Sequence, residues 1–164
     1  MEYGKLILWE PLKENPFDRF YHPMSLERFR WDNGDFVLTF LSNSDSKEAK
    51  LYDFTYIKNE KHFYAIRTFR FLEEFTRGDI EVLIGNFFNE RKAKGLPNLT
   101  YEHTFWKVDN SSYLSWYKSI DPSIGDNLKL EHHLYITGDY FIDVLAEQLP
   151  VITISTYNEE NGII

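Results

Sequence analysis

The segment Leu128–Thr156, LKLEHHLYITGDYFIDVLAEQLPVITIST, decides how the rest of the chain is read. From Leu128 to Ile136 the residues Leu128, Leu130, Leu134 and Ile136 alternate with Lys129, Glu131, His133 and Tyr135, the period of a half-buried strand. His132 falls on the apolar phase, which makes it a core histidine and His133 a polar-face residue. Gly138 stops that strand and Asp139 is placed to cap a following helix. Phe141, Ile142, Val144, Leu145 and Leu149 then recur at helical spacing until Pro150, predicting a helix at about 139–148 packed on a sheet. The β-branched run Val151–Thr156 predicts a closing strand, with 158–164 as a tail.

The polar face of that helix would carry Asp139, Asp143 and Glu147 at successive i, i+4 positions, with no basic residue between them. Like charges so spaced cost a helix about 0.2 to 0.5 kcal/mol per pair. Two readings follow: a cap with two solvated carboxylates, or an acidic stripe that, with Glu131, faces a basic partner.

Working outward, Tyr3–Trp9 predicts an opening strand, and 10–23, with its three prolines, an aromatic loop whose Phe17, Phe20 and Tyr21 plug the core edge. Asn33-Gly34 between 26–31 and 36–41 signals a hairpin. Residues 42–50 are a polar loop, and 51–58 and 61–72 flank Asn59-Glu60 as a second hairpin. There Tyr52, Phe54 and Tyr56 share one face, as do Phe63, Ala65, Phe69 and Phe71 with Arg67. Ile80, Val82 and Ile84 suggest a short strand, 86–94 a helix ending at Gly95, and 99–108 another strand. Asn110 or Ser111 caps a short helix bearing Tyr113, Leu114, Trp116 and Tyr117, and 121–127 is a connector. The sum is an α+β fold, mainly antiparallel sheet with two or three short helices, in one domain over 1–164.

Composition narrows the function. Aromatic residues reach 18%, a load suited to sheets, and there is no cysteine, which excludes disulfides, cysteine-ligated zinc and thiol catalysis. No apolar run approaches a membrane span, and KLILW is too short for a signal peptide, so the expected setting is the cytoplasm without membrane contact. From Asp121 onward there are eight acids against one base, so nearly all of the net charge of −8 lies in this last quarter. Such a field repels nucleic acid and steers a basic protein toward it.

None of the phosphate-binding, dinucleotide, nucleophile-elbow, zincin or EF-hand motifs is present, and nothing calls for a cofactor. Glu131 and His133 share a strand face and could pair as acid and base or as two metal ligands, with His62, His103, Glu102 or His22 as a third. Alternatively, the aromatic rows of Tyr52, Phe54 and Tyr56 and of Phe63, Phe69 and Phe71 could wall a small-molecule pocket.

The run SSYLSWYKSIDP (111–122) followed by LKLEHHLYITGDYFIDVLAEQLPVI (128–152) resembles the C-terminal pattern of small Gram-positive proteins, some of them similar to immunity proteins encoded beside polymorphic toxins. The resemblance covers about the last third of the chain. It implies a cytosolic, non-catalytic protein that binds and neutralises a toxin domain. Nuclease toxins are basic because they hold phosphates, so a surface of Glu131, Asp139, Asp143 and Glu147 would suit one.

Overall fold

A computed structural model describes residues 4–42, 49–124 and 128–157. Two antiparallel sheets face each other. The first, in the order β1 (Lys5–Leu8), β6 (Phe105–Asp109), β7 (Glu131–Ile136), β8 (Tyr140–Ala146), β5 (Thr68–Glu73), has five strands; the second, β2 (Met24–Asp32), β3 (Asp35–Ser42), β4 (Lys50–Tyr56), β9 (Val151–Thr156), has four. Helix α1 (Gly78–Ala93) and helix α2 (Ser112–Ile120) complete the mixed α+β architecture. The tail at 158–164 lies outside the described residues, as do 43–48 of the polar loop and 125–127 of the connector.

Between the sheets, Phe17, Phe36, Phe40, Phe54, Tyr56, Phe105, Tyr135, Ile142 and Val144 form the main core. On the opposite face of the five-stranded sheet, Ile80, Leu83 and Ile84 of α1 cover Leu6, Trp106, Val108, Leu134, Ile136 and Phe141. The five-stranded sheet is therefore buried on both faces, which suits its nearly continuous apolar central strands.

The expected helix at about 139–148 is instead strand β8, and its polar stripe does not exist as a helical face. Thr137 explains the reversal. Its Oγ1 accepts from the Tyr140 amide at 2.9 Å while its own N–H donates to the Tyr140 carbonyl at 2.9 Å, closing a tight turn back onto β7. Asp139 sits in that turn rather than at a cap. Alternate residues then point to opposite cores, Phe141 toward the helices and Ile142 and Val144 toward the second sheet. A strand covered on both faces loses its polar phase, and at this length its apolar run matches a helical pattern equally well.

The first hairpin forms as expected, with Asn33 at φ 50° and Gly34 at φ 94°, the paired positive values of a type I′ turn. The second does not. Asn59 closes a turn, its Oδ1 accepting from the amides of Lys61 and His62, but the chain then crosses to the other sheet and β5 pairs with β8. Residues 80–84 belong to α1, not to a strand: Ile80, Leu83 and Ile84 follow the helix-facing spacing and Val82 is exposed. The strand expected over 99–108 is confined to Phe105–Asp109, because the preceding residues are held by the loop, Arg19 N–H to the Glu102 carbonyl and Glu102 N–H to Asp18 Oδ2. In that loop Phe17 is buried, whereas Phe20 and Tyr21 are exposed. Helix α2 is capped as read, Ser111 Oγ accepting from the Leu114 amide at 2.9 Å.

Candidate partner-binding surface

The structure disperses the four carboxylates that the sequence grouped. Asp143 is wholly buried on the helix side of β8, where it accepts from His132 Nε2 at 2.7 Å, Arg70 Nε at 2.9 Å and Arg77 Nη1 at 2.5 Å. Burial alone would raise its pKa, but His132 and Arg77 together hold it well below the usual carboxylate range. Glu147 is spent on Arg67, with Nε at 2.9 Å and Nη2 at 2.7 Å, and His62 lies 3.6 Å away. Glu131 accepts from His133 Nε2 at 2.9 Å and Lys107 Nζ at 2.6 Å, which brings its pKa down to about 2 against a smaller opposing effect of burial. Only Asp139 is exposed and, among the described residues, without a cationic partner.

Asp139 belongs to a different cluster. Strand β5 ends at Glu73 and the chain turns through a short 3-10 helix, Glu74–Thr76, anchored where Glu74 N–H donates to the Asp139 carbonyl at 3.0 Å. The turn and the β7–β8 hairpin enclose a shallow cleft of about 230 Å³ lined by Glu73, Glu74, Phe75, Asp139 and Tyr140. Glu74 reaches Arg19 at 3.2 Å, while Glu73 and Asp139 face the cleft unneutralised. Phe75 is 97% exposed, an unusual setting for so apolar a ring.

From that cleft an aromatic seam runs along the side where β5 and β2 are both edge strands. Tyr140 stacks on Phe71 with centroids 4.3 Å apart, Phe71 meets Phe29 at 6.3 Å, Phe29 meets Phe69 at 5.3 Å, and Trp31 rests on Phe36 at 4.9 Å. Phe29, Trp31 and Phe71 all remain exposed. A contiguous apolar strip with an acidic corner has the composition of a protein-binding surface. Sequence reading found Asp139 and missed the rest; Glu73-Glu74-Phe75, two acids before a ring within a turn, was the available signal.

The other candidate chemistries take definite form. His133 is buried rather than polar-facing: Nε2 donates to Glu131, Nδ1 accepts from Tyr56 Oη at 2.7 Å, and Tyr135 Oη stands 2.7 Å further on. Trp9 stacks on its ring at 4.7 Å. Tyr56 and Tyr135 are fully buried between the sheets, so this chain of hydrogen bonds satisfies core polar groups and presents no hydroxyl to a substrate. Among the described residues no three of His, Asp and Glu converge as metal ligands. Tyr52, Phe54 and Tyr56 are packed ring against ring in the core, while Phe63 is exposed.

No protein-family model, curated protein or solved structure matches this chain. Nor is any helix of the described residues long and apolar enough to cross a membrane.

Proposed function

We propose that this is a non-enzymatic binding protein that engages a basic protein partner, in the manner of an immunity protein neutralising a toxin domain. The observation that carries the reading is the exposed Phe75 beside the unneutralised Glu73 and Asp139, continuous with the Tyr140–Phe71–Phe29 seam. A lysine or arginine side chain entering that cleft gains two carboxylates and an aromatic face, and the seam supplies apolar area around it. Of the four acids first grouped, Asp139 carries the contact, and Asp143, Glu147 and Glu131 act within the fold.

The test is a pull-down from the native host with two baits, the wild type and a Glu73→Lys/Asp139→Lys double variant. A basic protein held by the wild type, eluted by salt and lost from the variant is the expected result. Co-expression with that protein should then restore growth with the wild type and not with the variant. Equal retention by both baits would move the contact elsewhere on the surface.

One observation favours a second reading, small-ligand binding. A cleft of about 360 Å³ opens between α2 and β5, lined by Arg70, Ser112, Tyr113 and Trp116, on the helix side of the sheet rather than between the aromatic rows. A ligand seated there would shift the Trp116 indole resonance, and the double variant above would leave that shift unchanged.

A further inference from the structure

The cleft of about 360 Å³ between α2 and β5 has a fixed cation in its lining. Arg70 reaches it from β5 with its side chain 31% exposed, Nε donating to Asp143 at 2.9 Å and the guanidinium carbon 4.0 Å from the centre of the Tyr113 ring. Asp143 is in turn held by His132 and Arg77, so the guanidinium is in place before any ligand arrives. An arginine offers two edges to oxygen acceptors. Asp143 occupies the Nε edge, and among the described residues no acceptor takes Nη1 or Nη2, which leaves the end-on fork open.

The rest of the lining comes from one face of α2, where Trp116 lies three residues on from Tyr113 and four from Ser112. The Trp116 indole runs nearly parallel to the Tyr113 ring, 9° between planes and 5.6 Å between centres, and is half exposed. Tyr113 itself is buried, its hydroxyl 3.0 Å from Thr68 Oγ1. The first amides of α2, at Ser112 and Tyr113, have no partner within the helix, Ser111 Oγ taking that of Leu114, so the positive end of the helix dipole stands at the same cleft. No carboxylate among the described residues lines it.

We infer that this cleft takes a small aromatic carboxylate, its two oxygens on the Nη1–Nη2 fork of Arg70 and its ring against the Trp116 indole. This ligand class rests on ligand entry at the α2–β5 cleft, the second of the two readings of function. A planar carboxylate matches the fork oxygen for nitrogen. One open guanidinium edge, with no second cation in the lining among the described residues, matches a single negative charge, whereas a phosphate monoester brings close to two. Volume sets the size: about 360 Å³ is near the lower end for small-molecule sites and suits one ring with its substituents. Tyr113 touches both the guanidinium and the indole, so the charge and the ring of one small molecule reach their partners together.

Titration of the full chain with sodium benzoate to about 20 mM at fixed ionic strength, followed by amide and indole N–H correlation spectra, tests it, since a fragment of this size binds in the millimolar range. Benzoate should shift the Trp116 indole and the Ser112 and Tyr113 amides saturably. Benzamide, which lacks the charge, and inorganic phosphate, which lacks the ring, should each bind at least about tenfold more weakly. Arg70→Lys keeps a cation for Asp143 but has no fork, and should lose about tenfold in affinity for benzoate with circular dichroism unchanged. Equal affinities for benzoate and benzamide, or a folded Arg70→Lys that binds benzoate as the wild type does, would overturn the anionic class and leave ligand entry standing. Phosphate binding as well as benzoate would overturn the aromatic class. No shift from benzoate or benzamide would overturn both the class and the reading beneath it. If Arg70→Lys does not fold, the ratio of benzoate to benzamide affinity on the wild type still decides.

Discussion

Asp139 and Asp143 lie four residues apart and look interchangeable in sequence, yet one is exposed in a turn and the other shares three donors beneath two helices. Asp143 and Asp79 are the two anions that make it tolerable to bury Arg77, whose side chain is only 3% exposed. Asp143→Asn leaves Arg77 with Asp79 alone and takes the carboxylate from His132 and Arg70 as well, so it should destabilise by about 3 kcal/mol. Asp139→Asn removes no partner and should stay within about 0.5 kcal/mol. Urea unfolding of both variants checks the contrast; similar midpoints would mean that Asp143 is not held as described. His132 adds a detail to this site. With Nε2 donating to Asp143, its buried Nδ1 has no partner among the described residues, a position suited to an ordered water.

At the level of elements, the clearest reading came where one face of a strand meets water or a turn needs a special backbone. Asn33-Gly34, the Ser111 cap and β9 were all legible for that reason. Strand β8 was not, since its two faces are buried against different cores and its polar phase is interrupted by the single, internally neutralised Asp143. For α1 the difficulty was the opposite: a helix exposing Val82 and half-burying Phe87 and Phe88 has so little amphipathic contrast that Ile80, Val82 and Ile84 mimic a strand. The candidate surface was the least legible part, because it joins β2, β5 and the β7–β8 turn, distant in sequence. Helix α1 offers a test in which one substitution has opposite signs. Gly85 is exposed in mid-helix with open space around it, so Gly85→Ala should stabilise by about 0.5 to 1 kcal/mol. Gly95 also has open space, but at φ 66° past the helix end, and Gly95→Ala should cost about 1 kcal/mol for the left-handed backbone alone. Thermal midpoints moving in the same direction would contradict the helix boundaries.

For the molecule as a whole, the buried polar groups make stability depend on pH from both sides. His133 has its pKa lowered by burial, against the pull of Glu131, and burial lowers His103 as well. A histidine depressed in the folded state contributes stability that is full above its ordinary value near 6.5 and is lost as pH falls through it. Glu131, at about 2, and Asp143, lower still, add stability that is full above the ordinary carboxylate values and is lost in more acid solution. Glu102 works weakly the other way, since burial raises its pKa and its protonation favours the fold. On the alkaline side burial raises Tyr56, Tyr135 and Tyr113, whose contribution is present below the ordinary tyrosine value and is lost as pH climbs past it. Thermal midpoints should therefore be flat between about pH 7 and 9.5, decline gently from 6.5 to 5, and fall steeply below about 4.5. His133→Gln assigns the gentle phase: the plateau should drop because the contacts to Tyr56 and Glu131 are impaired, and the slope between pH 7 and 5 should flatten because one of the two depressed histidines is gone. An unchanged slope on a lowered plateau would transfer that phase to His103 and show that the inter-sheet network does not sense acid.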